Sequence, residues 1–396
     1  MSDVAADIRA VAATAPDVPH AARQLLEAAI LPAAKRHGGA VIRTCHRVEW
    51  YREGPEDPRD LLVGHGAVIP DGTTIASGLD AVGRLVTVSL GLDSVVLGED
   101  QILHQVRQAV IDARAAGPFG GELAFAFDAA LHAGRLGRTW RSVRSQSIAD
   151  VAIARAVSMA GPARDRRVLV VGTGEMGRLA VRAAQAAGAD VALASRNGAR
   201  SREAAATLGV APWPTDPGLL LADVAIVLIA LGGTWDLRPE SVRALTAGPV
   251  VVDLSMPAAL SADVVAALGR RSIGIDDLAV AEVDTASSPV RAGEDARYRD
   301  RLVGLRDRTI ETFRVRAEAR RAAGAARALA ATVERERHAA LAALFRGRPD
   351  LAPRDQAAIE AMTVRLTDRL FGSALERLAA DGDGPDGRAV RQVFDL

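Results

Sequence analysis

The sequence predicts an α/β multidomain chain, and three observations carry that expectation. Apolar strands alternate with helical segments between residues 167 and 253, a stretch of mixed helical and strand patterning precedes them, and a charged run free of internal proline joins Pro289 to Pro349. At 396 residues there is length for two or three domains, and 49% hydrophobic with 25% charged residues is the composition of a folded globular protein. The 49 basic residues balance the 49 acidic ones, so any binding to nucleic acid or an anionic surface must be local. Lys35 is the only lysine, so the abundance of arginine reflects bias and is weak evidence for phosphate binding. Aromatic residues, at 3%, leave little material for stacking bases.

Element by element, residues 11–37 read as Ala-rich helix with Leu25, Leu26 and Ile30 on one face. A short strand at 40–44 ends in Cys-His-Arg, and residues 48–51 alternate again before the turn-rich 54–58. Helical spacing returns over 78–117, punctuated by a segment at 91–101 that Gly91 and Gly98 bracket. A further helical run over 122–160 carries Arg135, Arg138, Arg141 and Arg144 at three-residue intervals, on a slowly turning face. After Gly161-Pro162 the period changes. Arg167-Val-Leu-Val-Val171, Asp190-Val-Ala-Leu-Ala194, Asp223-Val-Ala-Ile-Val-Leu-Ile229 and Val250-Val-Val-Asp253 are strands, with a helix at 176–187 after the first. Strands so uniformly apolar argue for a parallel sheet covered on both faces. A helix over 292–344, rising about 1.5 Å per residue, is too long to be buried in one globule and calls for a partner. Residues 355–378 form another amphipathic helix, and 381–387 a flexible glycine-rich tail. The single cysteine, Cys45, excludes an internal disulfide. No secretory signal is visible, and the most apolar stretch, 218–233, is broken by Asp223 short of the roughly 20 residues a membrane helix needs. A reducing cytoplasm fits, with no membrane partner.

Two motifs carry chemistry. Gly172-Thr-Gly-Glu-Met-Gly177 directly follows a strand and opens a helix, the context in which glycines let backbone approach a pyrophosphate at a helix N-terminus. The other reading is a tight turn without ligand. The next strand ends in Ser195-Arg196-Asn197, where an enzyme using NAD would place an acid for the ribose hydroxyl. A guanidinium there suits a 2′-phosphate, so NADPH is the expected cofactor. A lone cysteine such as Cys45 is most often a small buried hydrophobe, but Arg43, Thr44, His46 and Arg47 make an electropositive setting that would lower its pKa toward the thiolate. His46 follows it directly, and adjacent strand residues face opposite ways, so no Cys-His dyad is expected.

These residues carry a resemblance. Thr44-Cys-His-Arg-Val-Glu-Trp-Tyr51 resembles the cysteine motif of the glutamyl-tRNA reductase family. Gly91-Leu-Asp-Ser-Val-Val-Leu-Gly-Glu-Asp-Gln-Ile-Leu-His-Gln105 is similar to its glutamate-site segment, and Val168-Leu-Val-Val-Gly-Thr-Gly-Glu-Met-Gly177 to its nucleotide loop. Val252-Asp-Leu-Ser-Met-Pro257, Ile275-Asp-Asp-Leu278, the long helix and the terminal Phe394-Asp-Leu396 also fit, in order from about residue 40 onward. The resemblance implies an NADP-dependent oxidoreductase at the first step of five-carbon tetrapyrrole (porphyrin) biosynthesis. Catalytic Cys45 would take the glutamyl group from glutamyl-tRNA as a thioester, and hydride would release glutamate 1-semialdehyde. It places Thr44, His46 and Arg47 in the substrate site, Arg47 as a bidentate carboxylate ligand. Ser94, Glu99, Asp100, Gln101 and Gln105 would surround the glutamyl moiety, although capping and solvated faces also explain Ser94 and the two glutamines. Cofactor contacts would come from Gly172, Thr173, Gly174, Glu175, Met176 and Gly177, with Ser195, Arg196 and Asn197 beyond. No metal is called for.

The implied organisation is an α+β catalytic domain (1–146), a Rossmann-type NADP(H)-binding domain (147–288) and a helical spine and dimerisation domain (289–396), giving a homodimer with an aminomutase as candidate partner. The arginine face at 135–144 would meet tRNA phosphates or water. Departures from the family pattern are the lack of an opening strand and histidine-containing loop in residues 1–19, His46 in place of Asn, and Ala76 where a functional histidine falls. Polar residues also thin at Ser147-Ile-Ala-Asp150 and Ala230-Leu-Gly-Gly-Thr234. Two alternatives follow: a paralogue acting on another aminoacyl-tRNA or acyl donor, and a catalytically silent dimer that binds tRNA or a regulator, for which the missing strand is the main support.

Overall fold

The computed structural model describes residues 5, 7–15, 17–141, 147–164, 166–280 and 289–380. Arg144, the tail at 381–387 and the terminal Phe394-Asp-Leu396 lie outside them. Residues Asp7–Thr309 form one compact unit, and the described residues from Ile310 onward belong to a second.

The first unit opens with β1 (Ile8–Thr14), α1 (His20–His37), β2 (Ala40–Arg43), β3 (Arg47–Glu53), α2 (Pro58–Gly64) and β4 (Thr74–Ser77). The strands make an antiparallel sheet in the order β2-β3-β1-β4, with Val11 opposite Trp50 and Ala10 opposite Ala76. The strand expected to be missing is therefore present and central to the sheet. Alanine has the highest helix propensity, which made this stretch read as helix, but pairing on both edges overrides that preference. A histidine, His20, also stands at the start of α1. The silent-dimer reading loses its main support.

Helix α1 covers the sheet through Leu26 and Ile30, in a core with Val11, Val48 and Trp50. Leu25, expected on that face, is 74% exposed; the buried stripe is Arg23, Leu26, Ile30 and Ala33, at helical intervals. Then come α3 (Gly78–Leu90), α4 (Asp100–Ala116) and α5 (Gly121–Arg138). Between α3 and α4, Gly91 and Gly98 both have positive φ (68° and 66°), and a Cβ on Gly91 would stand 2.8 Å from the Gly98 Cα. Only glycine permits this pinch, and it is closed by Gly98 N–H donating to Gly91 O at 2.9 Å.

The helical run expected over 122–160 is two helices. α5 stops at Arg138, and α6 (Ile148–Ala160) starts from a capping box in which Ser147 and Asp150 satisfy each other's backbone. The six-stranded sheet follows: β5 (Arg167–Val171), α7 (Glu175–Ala186), β6 (Asp190–Ala194), α8 (Gly198–Leu208), β7 (Ala211–Pro212), β8 (Val224–Ile229), α9 (Pro239–Ala247), β9 (Val250–Asp253), α10 (Ala262–Leu268), β10 (Ser272–Gly274) and α11 (Ile275–Val280). All its ladders are parallel, in the order β7-β6-β5-β8-β9-β10, the doubly wound arrangement whose ligand crevice lies where the order reverses, between β5 and β8. Val168 and Val170 pack into one core with Ile153 and Val181, while Leu169 and Val171 pack into another with Val227 and Leu245. Both faces are thus buried, as the unbroken apolar strands require.

The long helix is α12 (Pro289–Gly347) and the last is α13 (Pro353–Ala380), on which Met362, Leu366 and Leu370 make an exposed apolar stripe. Among the described residues, no helix is long and apolar enough to cross a membrane.

Candidate functional site

The turn joining β2 to β3 is built from its own side chains. Thr44 Oγ1 accepts from the His46 N–H at 3.0 Å and the Arg47 N–H at 3.1 Å, which tightens the turn and leaves its hydroxyl proton to offer a ligand. Cys45 sits at the apex, in the turn rather than on a strand, half-buried against the core that includes Val96 and Ile148. Thr44, Cys45, His46 and Arg47 form one wall of a small cleft open to solvent. Ser94, Val95, Glu99, Gln101, Ile102 and Gln105 form the other. Two segments some 50 residues apart are thereby brought together, and eight of the nine expected substrate-site residues line one cavity.

Asp100 is the exception. Gln101 and Gln105 are one helical turn apart and share a face, whereas Asp100 points elsewhere: its side chain is 65% exposed and pairs with Arg138 at 3.1 Å and Arg141 at 3.6 Å. Those arginines are neither solvated nor free for phosphates. Arg138 donates to the carbonyls of Ser89, Gly134 and Glu99, and Arg141 to those of Leu97 and Gly98. They pin the 97–100 segment in place; Arg135 remains exposed.

The electropositive setting expected for Cys45 is also corrected. Burial and the nearby Glu99 carboxylate push its thiol up to about 12, against a smaller opposing pull from Arg23 and Arg47. The cations beside it in sequence are committed elsewhere. Arg43 points outward to Glu27 at 3.1 Å, and Arg47 donates to Glu49 at 3.1 Å and to Asp93 O at 2.8 Å. Burial lowers the His46 pKa, and the Ile275 carbonyl accepts from its Nε2 at 2.8 Å, so the neutral ring is turned toward α11 and makes no dyad with Cys45.

Arg47 keeps a positive environment at the cavity wall. It shares the buried Glu49 carboxylate with Arg84, whose Nη2 lies 2.9 Å away, so two guanidinium groups meet one anion and a charge of +1 is left over.

The residues above leave out a buttress behind the turn. Arg23 Nη2 donates to Cys45 O at 3.0 Å and pairs with Asp276 at 2.6 Å, while the His20 N–H donates to Asp276 at 3.0 Å. An arginine on the buried stripe of α1 was the available signal, since a charge at such a position needs a partner. Asp276 lay in a quoted motif without a role.

In the second motif each glycine has its own reason. A Cβ on Gly172 (φ 133°) would run into Ala230 O, and one on Gly177 into Gly172 O. Gly174 at the N-cap of α7 is different: nothing in the protein lies within 4 Å of where its Cβ would be. Its smallness serves no packing need, which fits a ligand lying against the backbone with the orphan N–H groups of the first turn beneath it. Thr173 O accepts from Arg178, Glu175 begins α7, and Met176 packs on the core. Beyond β6, Ser195 Oγ and Asn197 hold the turn and cap α8, so their side chains are occupied. Arg196 is exposed and lies 3.4 Å from Gly232 O, across the mouth from the loop after β8. The residues therefore fit a dinucleotide.

The chain is similar to known proteins over both of these segments. Residues 3–140 match the family model described as glutamyl-tRNAGlu reductase, N-terminal domain, and residues 154–281 match the shikimate / quinate 5-dehydrogenase model. A glutamyl-tRNA reductase from Methanoculleus marisnigri is 32% identical over 395 residues, covering 93% of this chain and 90% of that protein. One from Halobacterium salinarum is 32% identical over 271 residues, and there the match spans 66% of this chain and 62% of the relative. The solved glutamyl-tRNA reductase from Methanopyrus kandleri superposes with a TM-score of 0.50 at 25% identity, over 99% of both chains.

Proposed function

The chain belongs to the glutamyl-tRNA reductase family, and from that premise we propose that it reduces glutamyl-tRNA to glutamate 1-semialdehyde through a thioester on Cys45. The observation that carries this is the convergence of the cysteine turn and the 94–105 segment on one cavity. The surplus positive charge of Arg47, Arg84 and Glu49 favours the substrate's carboxylate there. Thr44 Oγ1 and the amides of Gln101 and Gln105 supply directional hydrogen bonds. Arg23, gripping both Cys45 O and Asp276, fixes the nucleophile's turn against α11. When bound, a reduced nicotinamide supplies the hydride that releases the aldehyde. The decisive experiment mixes the chain with radiolabelled glutamyl-tRNA, without NADPH, and looks for acid-stable label on the protein. Label that NADPH chases into aldehyde is the expected result; no transfer with tRNA binding intact would overturn the reading.

Arg196 supports NADPH over NADH, since it is an exposed guanidinium, held by one long hydrogen bond to Gly232 O, where a 2′-phosphate would lie. Arg196→Ala is expected to weaken NADPH roughly 10-fold, the scale of one charge-assisted contact at an exposed site, and to leave NADH unchanged. Titration by nicotinamide fluorescence checks this, and equal losses for both cofactors would count against it.

The exposed Met362, Leu366 and Leu370 stripe supports a homodimer through the C-terminal helices, and a single thiol with no disulfide partner fits a reducing cytoplasm. Light scattering at micromolar concentration is expected to read twice 41.4 kDa; a monomer would remove this part. An aminomutase that consumes the aldehyde is the partner such a product calls for.

A further inference from the structure

A thiol at about 12 must lose its proton as it attacks, and the departing ribose oxygen must gain one, yet nothing described so far moves that proton. His46 donates its Nε2–H to Ile275 O, so that end of the ring is not free to take it. We propose that Glu99 is the general base that takes the proton from Cys45 Sγ, directly or across one water, and delivers it to the ribose oxygen of the departing tRNA. This rests on the thioester reading above and adds the proton's path to it.

Geometry is the first support. Glu99 lines the same cavity as Cys45, and its charge bears directly on the thiol. Its main chain is pinned from both sides, the N–H donating to Val96 O at 3.1 Å and the carbonyl accepting from Arg138. The Ile148 N–H at the start of α6 acts on its carboxyl in favour of the charged form.

The second support is that no cation claims it. Among the groups facing it, Arg47 on β3 is held by Glu49 and Asp93 O, Arg138 on α5 by Asp100 and carbonyls, and Arg141 by carbonyls. Asp100, next in sequence, turns outward to those arginines, and neutral His46 turns to α11. Among the described residues Glu99 has no ion pair. Burial then raises its carboxyl to about 7, against the smaller effects of the Ile148 N–H and the three arginines, so acid and base forms are both populated near neutrality.

The step balances within the site. The S–H bond breaks as Sγ bonds to the ester carbon, and the proton passes to a Glu99 carboxylate oxygen. The tetrahedral adduct collapses, the bond from that carbon to the ribose oxygen breaks, and the same proton passes to that oxygen. Thiol and ester become thioester and alcohol with no net proton and no redox change.

The test uses Glu99→Gln in the full chain with two readouts. Single-turnover glutamyl transfer to Cys45, without NADPH, is expected to fall roughly 10²- to 10⁴-fold and to lose the limb that rises through pH about 7 as Glu99 ionises. Alkylation of Cys45 by iodoacetamide needs the thiol proton removed but none delivered to its leaving iodide, so it is expected to lose distinctly less than glutamyl transfer does. Glu99→Asp should restore part of the rate together with the pH limb. Equal loss in both reactions would mean a structural role and overturn the proposal, as would undiminished transfer in Glu99→Gln. A wild-type chain that takes no label would remove the thioester reading itself, and this role with it.

Discussion

Cys45→Ser is expected to leave the chain folded while glutamyl transfer falls by on the order of 10³-fold or more, below detection in a single-turnover labelling experiment. The turn that presents the residue does not depend on its side chain. Thr44 Oγ1, the Thr44 N–H to Arg47 O bond and the Arg23 grip on Cys45 O hold the backbone, and all survive the substitution. Exchanging a thiol packed against Val96 and Ile148 for a hydroxyl costs about 1–3 kcal/mol if the hydroxyl finds no partner, a modest change for a chain of this size. The chemical loss is larger because a hydroxyl is a weaker nucleophile and a still poorer acid than a thiol already raised to about 12. NADPH binding should be unchanged, since none of residues 172–177 lines the cavity that holds Cys45. Thermal melts and cofactor titration check the first part, and label retained on acid-quenched protein checks the second. A serine variant that labels as well as wild type would show that another residue takes the glutamyl group.

The nucleotide-binding half was legible because its signals are local. Strands such as 167–171 are apolar throughout, and the glycine loop follows one of them at once. The outer strands β7 and β10, of two and three residues, were too short to carry a pattern. β1 was misread for a physical reason: a central strand buried on both faces has no alternation, and its alanines favour helix until β3 and β4 pair with it. Cys45 and most of its cavity could be named from the sequence, but its protonation state could not. That depends on where charges go, and Arg23 goes to Asp276, 253 positions away, while Glu99 arrives from another segment. Asp100 shows the same limit at short range, since one residue along a helix turns a side chain by about 100° and moves it from cavity to surface. The arginines at 138 and 141 read as a solvated or phosphate-facing stripe because the carbonyls they bind leave no mark in a sequence.

Glu49→Gln is expected to destabilise the chain by about 3–5 kcal/mol, far more than any exposed charge would cost. Glu49 is fully buried beneath the cavity wall, and its carboxylate accepts from Arg47 at 3.1 Å, Arg84 at 2.9 and 3.2 Å and Tyr51 Oη at 2.6 Å. An amide keeps some of these hydrogen bonds but not the charge. It would leave two guanidinium groups, with side chains 4% and 17% exposed, facing each other without an anion. Arg43→Ala is the internal control, since its pair with Glu27 lies at the surface and such pairs contribute about 0–1 kcal/mol. Burial alone would raise the Glu49 pKa, but Arg47, Arg84 and the Tyr51 hydroxyl outweigh it and hold the carboxyl below its ordinary value. Because the folded pKa is depressed, the stabilisation is present above the unfolded value of about 4.3 and is lost as pH falls through the folded value. The gap between wild type and Glu49→Gln in urea midpoint should therefore be full at pH 7 and close below about pH 4. Equal midpoints for Glu49→Gln and Arg43→Ala at pH 7 would refute the assignment of this network as the wall's main electrostatic support. Because Arg47 also lines the cavity, the variant's remaining folded fraction should bind glutamyl-tRNA more weakly, which ties the stability of the sheet to the shape of the site.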